Sequence, residues 1–342
     1  MDRPPSGGPV DAAPLQVVFS DPSTGATTTS PKIIRISFSH AVALKELQKS
    51  VFFTPRIRNY DIFVHGRDSE IRIYEPLQHD RTYTVMIRRQ LIDYRGAALS
   101  TPWRLSFSTG PVIDSETLSG RVFNADLSPA ENALLVLFRK EHSGTEPDYI
   151  VQTDQTGSFR LDHIRKGLYR IIAVNDRNIN LHFDPATEET ALPGSEFVAA
   201  GTSSLLMRFA PQKNAKPSLF ADTEKNSTEE TGTIKGSCLA DARWLIIEAK
   251  AVNSPEVWRI AAVPAQKGLF RFTFASLPEG DYTISAFIPS GTKKPDAHIT
   301  WNPGTLDPFT PSEPFGLYPK AVHVRPGWDA ETIDFTIGAT NR

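Results

Sequence analysis

From Leu15 to Ile337 the chain is a series of short apolar runs broken by turn residues, and within the runs the apolar positions recur every second residue. Ile34-Arg35-Ile36-Ser37-Phe38 and Glu70-Ile71-Arg72-Ile73-Tyr74 show the period clearly. Side chains alternate across a strand, so one face of each is buried and the other is wet. Over the first third the pattern predicts strands at 15–19, 32–38, 51–53, 60–64, 70–74, 82–88 and 103–108. Turn signals separate them at Asp21-Pro22, Ser30-Pro31, Gly66-Arg67-Asp68 and Arg95-Gly96. Seven short strands at this spacing make the pattern of an immunoglobulin-like sandwich. One helix is predicted at 43–49, where Leu44 and Leu47 share a face.

A second pattern is longer. Gly157-Ser-Phe159-Arg-Leu161, then Gly167-Leu-Tyr169 and Ala173, returns as Gly268-Leu-Phe270-Arg-Phe272, then Gly280-Asp-Tyr282 and Ala286. Each copy is preceded by a strand-like opening with its own glycine, Ser119-Gly120-Arg-Val and Lys235-Gly236-Ser-Cys. A repeat of this kind marks two related supersecondary units. Strands are predicted at 118–123, 133–138, 149–153, 158–161, 168–174 and 204–209 in the first copy. In the second they fall at 233–238, 244–251, 257–263, 269–274, 281–287, 321–324 and 332–337. Gly157 follows Asp154-Gln-Thr as a hairpin glycine. Gly167 and Gly280 each leave bare backbone over which the following tyrosine can pack.

The fold class that follows is all-β, with three consecutive β-sandwich domains. Residues 1–14 read as a Pro/Gly-rich tether, 15–112 as the Ig-like sandwich and 117–210 as the second sandwich. The polar, proline-punctuated stretch 211–231 reads as a linker, and 232–338 as the third sandwich. Between Pro289 and Lys320 lies a long stretch rich in Pro and Gly, of the kind that is functional or mobile rather than an idle connection.

Composition narrows function mainly by exclusion. With 37 basic and 39 acidic residues among 342, the formal net charge is −2, so no broad field steers the chain toward nucleic acid. Arg56, Arg58, Arg88 and Arg89 read as ordinary solvated strand-face charges, with a mild basic patch at a ligand site as the other reading. The single cysteine, Cys238, excludes an intrachain disulfide and a cysteine-based zinc site, and its strand position predicts a buried, inert thiol. No apolar run is long enough for a membrane-spanning helix, and Met1-Asp-Arg-Pro-Pro does not open a signal peptide. Either the protein is cytoplasmic from a start at Met1, or the sequence is the mature region of an exported protein.

Catalytic motifs are missing: no Gly-x-Ser-x-Gly, no Gly-x4-Gly-Lys-Ser/Thr, no Gly-x-Gly-x-x-Gly, and eight histidines scattered singly. A triad assembled by folding would leave no such spacing, so a hydrolase built across domains stays as one alternative. One loop has oxygen ligands at alternate positions: Asp176, Asn178 and Asn180, then Asp184. That set suits Ca²⁺, the one cofactor expected here, although Leu181 stands where a calcium loop of the EF-hand type has glycine. The other reading of the same residues is turns closed by Asx side chains on their own backbone. A second alternative function is carbohydrate or peptidoglycan binding through Trp301, Phe309, Phe315 and Tyr318 in the long stretch, with sugars stacked on the rings. Those aromatics read equally as a cover for the open end of their own sandwich.

Several segments together resemble a known family. Pro5-Ser6-Gly7-Gly8-Pro9-Val-Asp11, Pro22-Ser-Thr-Gly25-Ala26-Thr27, Ile36-Ser-Phe38-Ser39, Leu44-Lys-Glu46-Leu47, Thr82-Tyr83-Thr84 and Phe107-Ser-Thr109-Gly110 look like the bacterial, S-layer-type Ig-like domain that opens many Bacteroidota-type cell-envelope lipoproteins. Gly120-Arg-Val, Thr153-Asp-Gln-Thr-Gly157-Ser-Phe159, Gly167-Leu-Tyr169-Arg and Asp176-Arg-Asn178-Ile-Asn180 resemble the transthyretin-like, carboxypeptidase-regulatory-like module that follows it. The resemblance implies a non-catalytic, exported scaffold, associated with the outer membrane or periplasm and held by a lipid anchor of the native precursor. Its partner would be another envelope protein or a glycan. No cysteine precedes Pro4 in this sequence.

Overall fold

The structure is a computed structural model and describes residues 13–141, 147–176, 188–210, 219–220, 231–254, 256–291, 295–296 and 299–338. Among the described residues it is built from strands, with one helix, Leu44–Ser50. The strands fall into three β-sandwich modules that follow one another along the chain.

In the first module a four-stranded antiparallel sheet (Val17–Asp21, Ile33–Phe38, Asp68–Ile73, Tyr60–His65, in that spatial order) faces a three-stranded one (Val51–Thr54, Thr82–Ile87, Trp103–Ser108). The period-two residues do what alternation requires. Ile34, Ile36, Phe38, Ile71 and Ile73 point into a core shared with Val85, Leu105 and Phe107. The helix buries Leu47 but leaves Leu44 40% exposed, so its apolar face is narrower than the spacing suggested. A seven-residue helix cannot stand on propensity alone, and Leu47 is its anchor.

The second and third modules share most of their strand pairings, although in the second Thr190–Leu192 also pairs with Leu205–Phe209 and joins its strands into one sheet. In the second, Glu116–Phe123 pairs with Ser158–Ile164 on one side and in parallel with Leu205–Phe209 on the other. Leu168–Val174 pairs with Leu134–Arg139, and two short strands share its other edge: Thr190–Leu192 at its end and Val198–Ala199 at its start. The third module repeats these last two sets of pairings. Gly232–Leu239 lies between Leu269–Leu277 and the parallel Asp329–Thr336. Gly280–Phe287 pairs with Ile246–Ala251 and carries Phe315–Leu317 at its end and Val322–Val324 at its start. Three of these short strands, Thr190–Leu192, Val198–Ala199 and Phe315–Leu317, have too few residues to show a period, and sequence patterning missed them. Leu219–Phe220, inside the stretch read as linker, adds a two-residue parallel strand beside Glu256–Ala261.

The repeated residues have repeated causes. A side chain at Gly120 would overlap the carbonyl oxygen of Leu205, and one at Gly236 that of Ile333, so the glycine of each opening strand admits the last strand of its module. Tyr169 donates its hydroxyl to the carbonyl of Arg165 at 2.5 Å, and Tyr282 to that of Pro278 at 2.9 Å. Each tyrosine ring lies against the glycine two residues before it. Each also meets an edge-on aromatic from the neighbouring part of its sandwich, Tyr149 at 5.8 Å and Trp258 at 5.4 Å. A buried ring whose hydroxyl is satisfied by nearby backbone fixes the turn before the strand without leaving a polar atom dry.

Gly236→Ala is expected to destabilise the third module by about 1–3 kcal/mol, because the added carbon forces the parallel strand away. Urea unfolding followed by the fluorescence of the buried Trp258 measures it; an unchanged midpoint counts against the close approach. Cys238 is fully buried, and desolvation pushes its thiol up to about 12. The thiol is therefore protonated at pH 7–8, and a disulfide reagent should react with it only after the chain is unfolded in guanidinium.

Candidate functional site

The polar and aromatic residues with unusual surroundings gather at the two junctions between modules. At the first, the strand Thr82–Ile87 ends in Arg88-Arg89-Gln90, and all three side chains or backbones reach the second module. Arg88 Nη2 donates to Asp176 Oδ2 at 3.0 Å, with side-chain exposures of 1% and 0%. Burial depresses the Arg88 guanidinium from its usual range, opposed by the Asp176 charge. Its Nε and Nη1 have no hydrogen-bond partner. Arg89 bonds Asn132 and pairs with Glu131, its backbone N–H donates to Gln152, and Gln152 in turn donates to Gln90 at 2.9 Å. Phe52 and Met86 of the first module join the apolar core of the second.

The second junction is larger. Phe123 and Leu127 of the second module form one buried cluster with Ile246, Phe287, Trp301 and Phe315 of the third. Phe315 meets Phe123 edge-on at 6.2 Å and Trp301 at 5.8 Å. Trp301 donates its indole N–H to the carbonyl of Glu313 at 2.8 Å and lies under the Arg208 guanidinium, 5.0 Å from its centroid. Arg208 also donates to the Ala125 carbonyl and sits 3.8 Å from Glu248, which pairs with Arg259 across its own sheet. Burial lowers the Arg208 pKa, with Glu248 opposing. Ser312 closes the seam with two bonds to the backbone of Leu192 and Pro193.

Of the four aromatics expected to stack sugars, Trp301 and Phe315 are 6% exposed inside this junction and present no open face. Phe309 is half-buried against a second apolar cluster of the second module, under Arg170 at 4.8 Å. Tyr318 packs on its own module's core beside Phe335. The long stretch between Pro289 and Lys320 thus covers the neighbouring sandwich as well as its own. Of the calcium-loop residues, Asp176 faces Arg88; Asn178, Asn180 and Asp184 lie outside the described residues. No group of three metal-ligating side chains occurs among the described residues. Arg88, read as a solvated charge, is instead one of the largest fully buried side chains; Arg56 and Arg58 are exposed and Arg89 half-buried. The signal for Arg88 lay in its position directly after the apolar run Val85-Met86-Ile87, and for Glu248 in Leu245-Ile246-Ile247-Glu248-Ala249, where a charge interrupts an apolar strand.

Folding does gather one serine, histidine and aspartate. Ser39 Oγ lies 3.0 Å from His40 Nδ1, Asp93 Oδ2 3.9 Å from the same nitrogen, and Arg95 Nη2 2.9 Å from it. A hydrolytic triad uses opposite ring nitrogens for the nucleophile and the carboxylate. Here Ser39, Asp93 and Arg95 approach the same nitrogen, Nδ1, so they do not form that relay. A cleft of about 130 Å³ opens at the second junction between Phe197, Val198, Leu205, Pro314, Phe315 and Ile337. It is smaller than the ~300–1,000 Å³ of ordinary ligand sites.

Residues 11–109 match the family of bacterial Ig-like domains. No curated protein matches the chain. Among solved structures, the N-terminal part of the bacterial S-layer protein SbsC is 13% identical, with 57% of this chain and 42% of that one covered and a TM-score of 0.23. The Bacillus anthracis TIE protein is 10% identical over 97% of this chain and 58% of its own, with a TM-score of 0.18. The L,D-transpeptidase from Mycobacterium smegmatis is 14% identical over 58% and 91%, with a TM-score of 0.22. The chain therefore spans less than two thirds of the length of the first two. At such identities and scores these likenesses carry no function across. The first module is thus similar to bacterial Ig-like domains, and no helix among the described residues is long and apolar enough to cross a membrane.

Removing one partner of the Arg88–Asp176 pair should cost about 3–5 kcal/mol, while Arg88→Met with Asp176→Leu together should cost much less. Equilibrium unfolding of the two single variants and the double one closes the cycle. Additive losses would mean that the pair is not coupled.

Proposed function

We propose that this chain is a non-catalytic cell-envelope scaffold, in which an Ig-like domain and two transthyretin-like modules are held at fixed spacing to present surfaces to a partner. The observation that carries this reading is where the chain spends its buried aromatics and charges. Trp301, Phe315, Arg208 and Glu248 at one junction, with Arg88 and Asp176 at the other, join neighbouring modules, and of these only Phe315 borders the small cleft at the second junction. Two modules linked only by a flexible tether would reorient freely, whereas an interface with an apolar centre resists such motion. The bacterial Ig-like match of the first module favours an envelope setting, and the strand pairings shared by the other two support a transthyretin-like assignment.

Within that reading the protein is of the Bacteroidota lipoprotein type, its Pro/Gly-rich start acting as the tether to a lipid anchor. Fractionation of cells expressing the native gene, with and without globomycin to block lipoprotein maturation, tests the setting. Recovery in the cytoplasm would overturn it.

Fixed spacing has its own test. Spin labels at exposed Lys49 and Glu331, one in each outer module, should give a single narrow distance distribution. Trp301→Ala, which empties the second junction, should broaden it. A broad distribution in the unaltered protein would remove the scaffold's rigidity.

A further inference from the structure

The second and third modules each bring their first and last strands side by side and parallel, and the first brings a segment that follows its first strand beside its last one. In the first, Gly25 donates to Ser106, Ser108 to Ala26, Thr29 to Ser108 and Thr28 to Gly110, all through backbone at 2.8–3.0 Å, so residues 25–29 run parallel to the closing strand Trp103–Ser108. In the second, Glu116–Phe123 pairs with Leu205–Phe209 in register from Leu205↔Gly120 to Arg208↔Phe123. In the third, Gly232–Leu239 pairs with Asp329–Thr336 from Thr233↔Asp329 to Leu239↔Thr336. Parallel neighbours are the rarer arrangement in sheets. In the first module the first strand, Val17–Asp21, pairs instead with Ile33–Phe38, so the pairing of first strand with last belongs to the second and third modules and gives those two a common mechanical property.

Tension along the chain enters a module at the start of its first segment and leaves at the end of its last. In adjacent parallel strands those two points lie at opposite ends of the ladder. The load then slides one strand along the other and strains all the cross-strand bonds at once, with the bonds nearly perpendicular to the pull. If the two segments were antiparallel neighbours, the load would act at one end and open the bonds in turn. Each backbone bond is worth only about 1 kcal/mol net, so the barrier depends on how many must fail together. Forced unfolding is governed by that barrier rather than by equilibrium stability. Gly120 and Gly236 admit the last strand at close range, and in the third module the ladder resumes at Gly236 after a shift of register.

We infer that the second and third modules are tension-bearing elements, in which pulling on the two ends of the chain loads the first and last strands of each in shear. The inference deepens the scaffold reading and takes its setting from it, but its physics belongs to the modules themselves.

Single-molecule force spectroscopy on the full chain tests it by changing only where the load leaves the third module. In one geometry the handles are at the two termini. In the other the second handle is a thiol-linked tether at Arg325→Cys, an exposed position just before the strand Asp329–Thr336; Cys238 is buried and does not compete. The Thr233 N–H donates to the Trp328 carbonyl at 3.0 Å, so the Arg325 tether and the chain entering at Gly232 lie at the same end of the ladder. That geometry peels the pair open, while the second module remains in shear as an internal standard and the first is loaded as before. The unfolding force of the third module should fall by about twofold or more on moving the tether, with the other two unchanged. An equal force in both geometries would overturn the proposal. If force depends on geometry but the native protein is cytoplasmic, the envelope setting falls and the mechanics stand. If force is independent of geometry while the label distances stay narrow, only the tension-bearing role is lost.

Discussion

The burial of charge between modules is the constraint on which the rest of this molecule depends. An isolated guanidinium costs several kcal/mol to remove from water, and a carboxylate in reach restores only part of that. Arg88 and Asp176 are both inaccessible, and each belongs to a different module, so neither surface is complete alone. Separating the modules would hydrate both groups again, and the pair resists separation mainly through its geometry. At the second junction Arg208 does this with three kinds of contact: a carbonyl, a carboxylate and the face of Trp301. Buried ionic groups of this sort fix register more than they add stability. Apolar area around them, from Phe52 and Met86 on one side and from Phe123, Phe287 and Phe315 on the other, supplies the favourable term.

The two repeated modules show how one set of residues can serve the same local task and different global ones. Their glycines, corner tyrosines and edge-on aromatic partners match position for position. Their connections after the strands Leu168–Val174 and Gly280–Phe287 do not. In the third module that connection is long enough to lay Phe309 and Leu306 on the sheet of the second and to send Ser312 to its backbone. The shared part builds the sandwich, and the divergent part joins it to its neighbour.

Much of the fold was legible from residue order. The alternation in Ile34–Phe38 or Glu70–Tyr74 placed strands to within a residue or two, because a half-buried strand in water has few other ways to hide every second side chain. The repeat was legible because turn glycines and packed tyrosines answer to local geometry. The junctions were far less so. Trp301 and Phe315 invited a reading as ligand platforms, since sequence shows that an aromatic needs cover without saying what covers it. Arg88 looked like any strand-end cation, because the carboxylate that meets it lies 88 positions further on.

By itself, then, the sequence determined the all-β class, the run of short strands, the doubled motif and the inert thiol at Cys238. These follow from period, turn chemistry and composition, which act over a few residues. Only the tertiary structure decided that the long aromatic connection seals a neighbouring module, that Arg88 and Arg208 are buried at junctions, and that the second and third modules close with their first and last strands parallel. Those features depend on contacts between residues far apart in the chain, whose partners are chosen by shape and desolvation once the strands have formed.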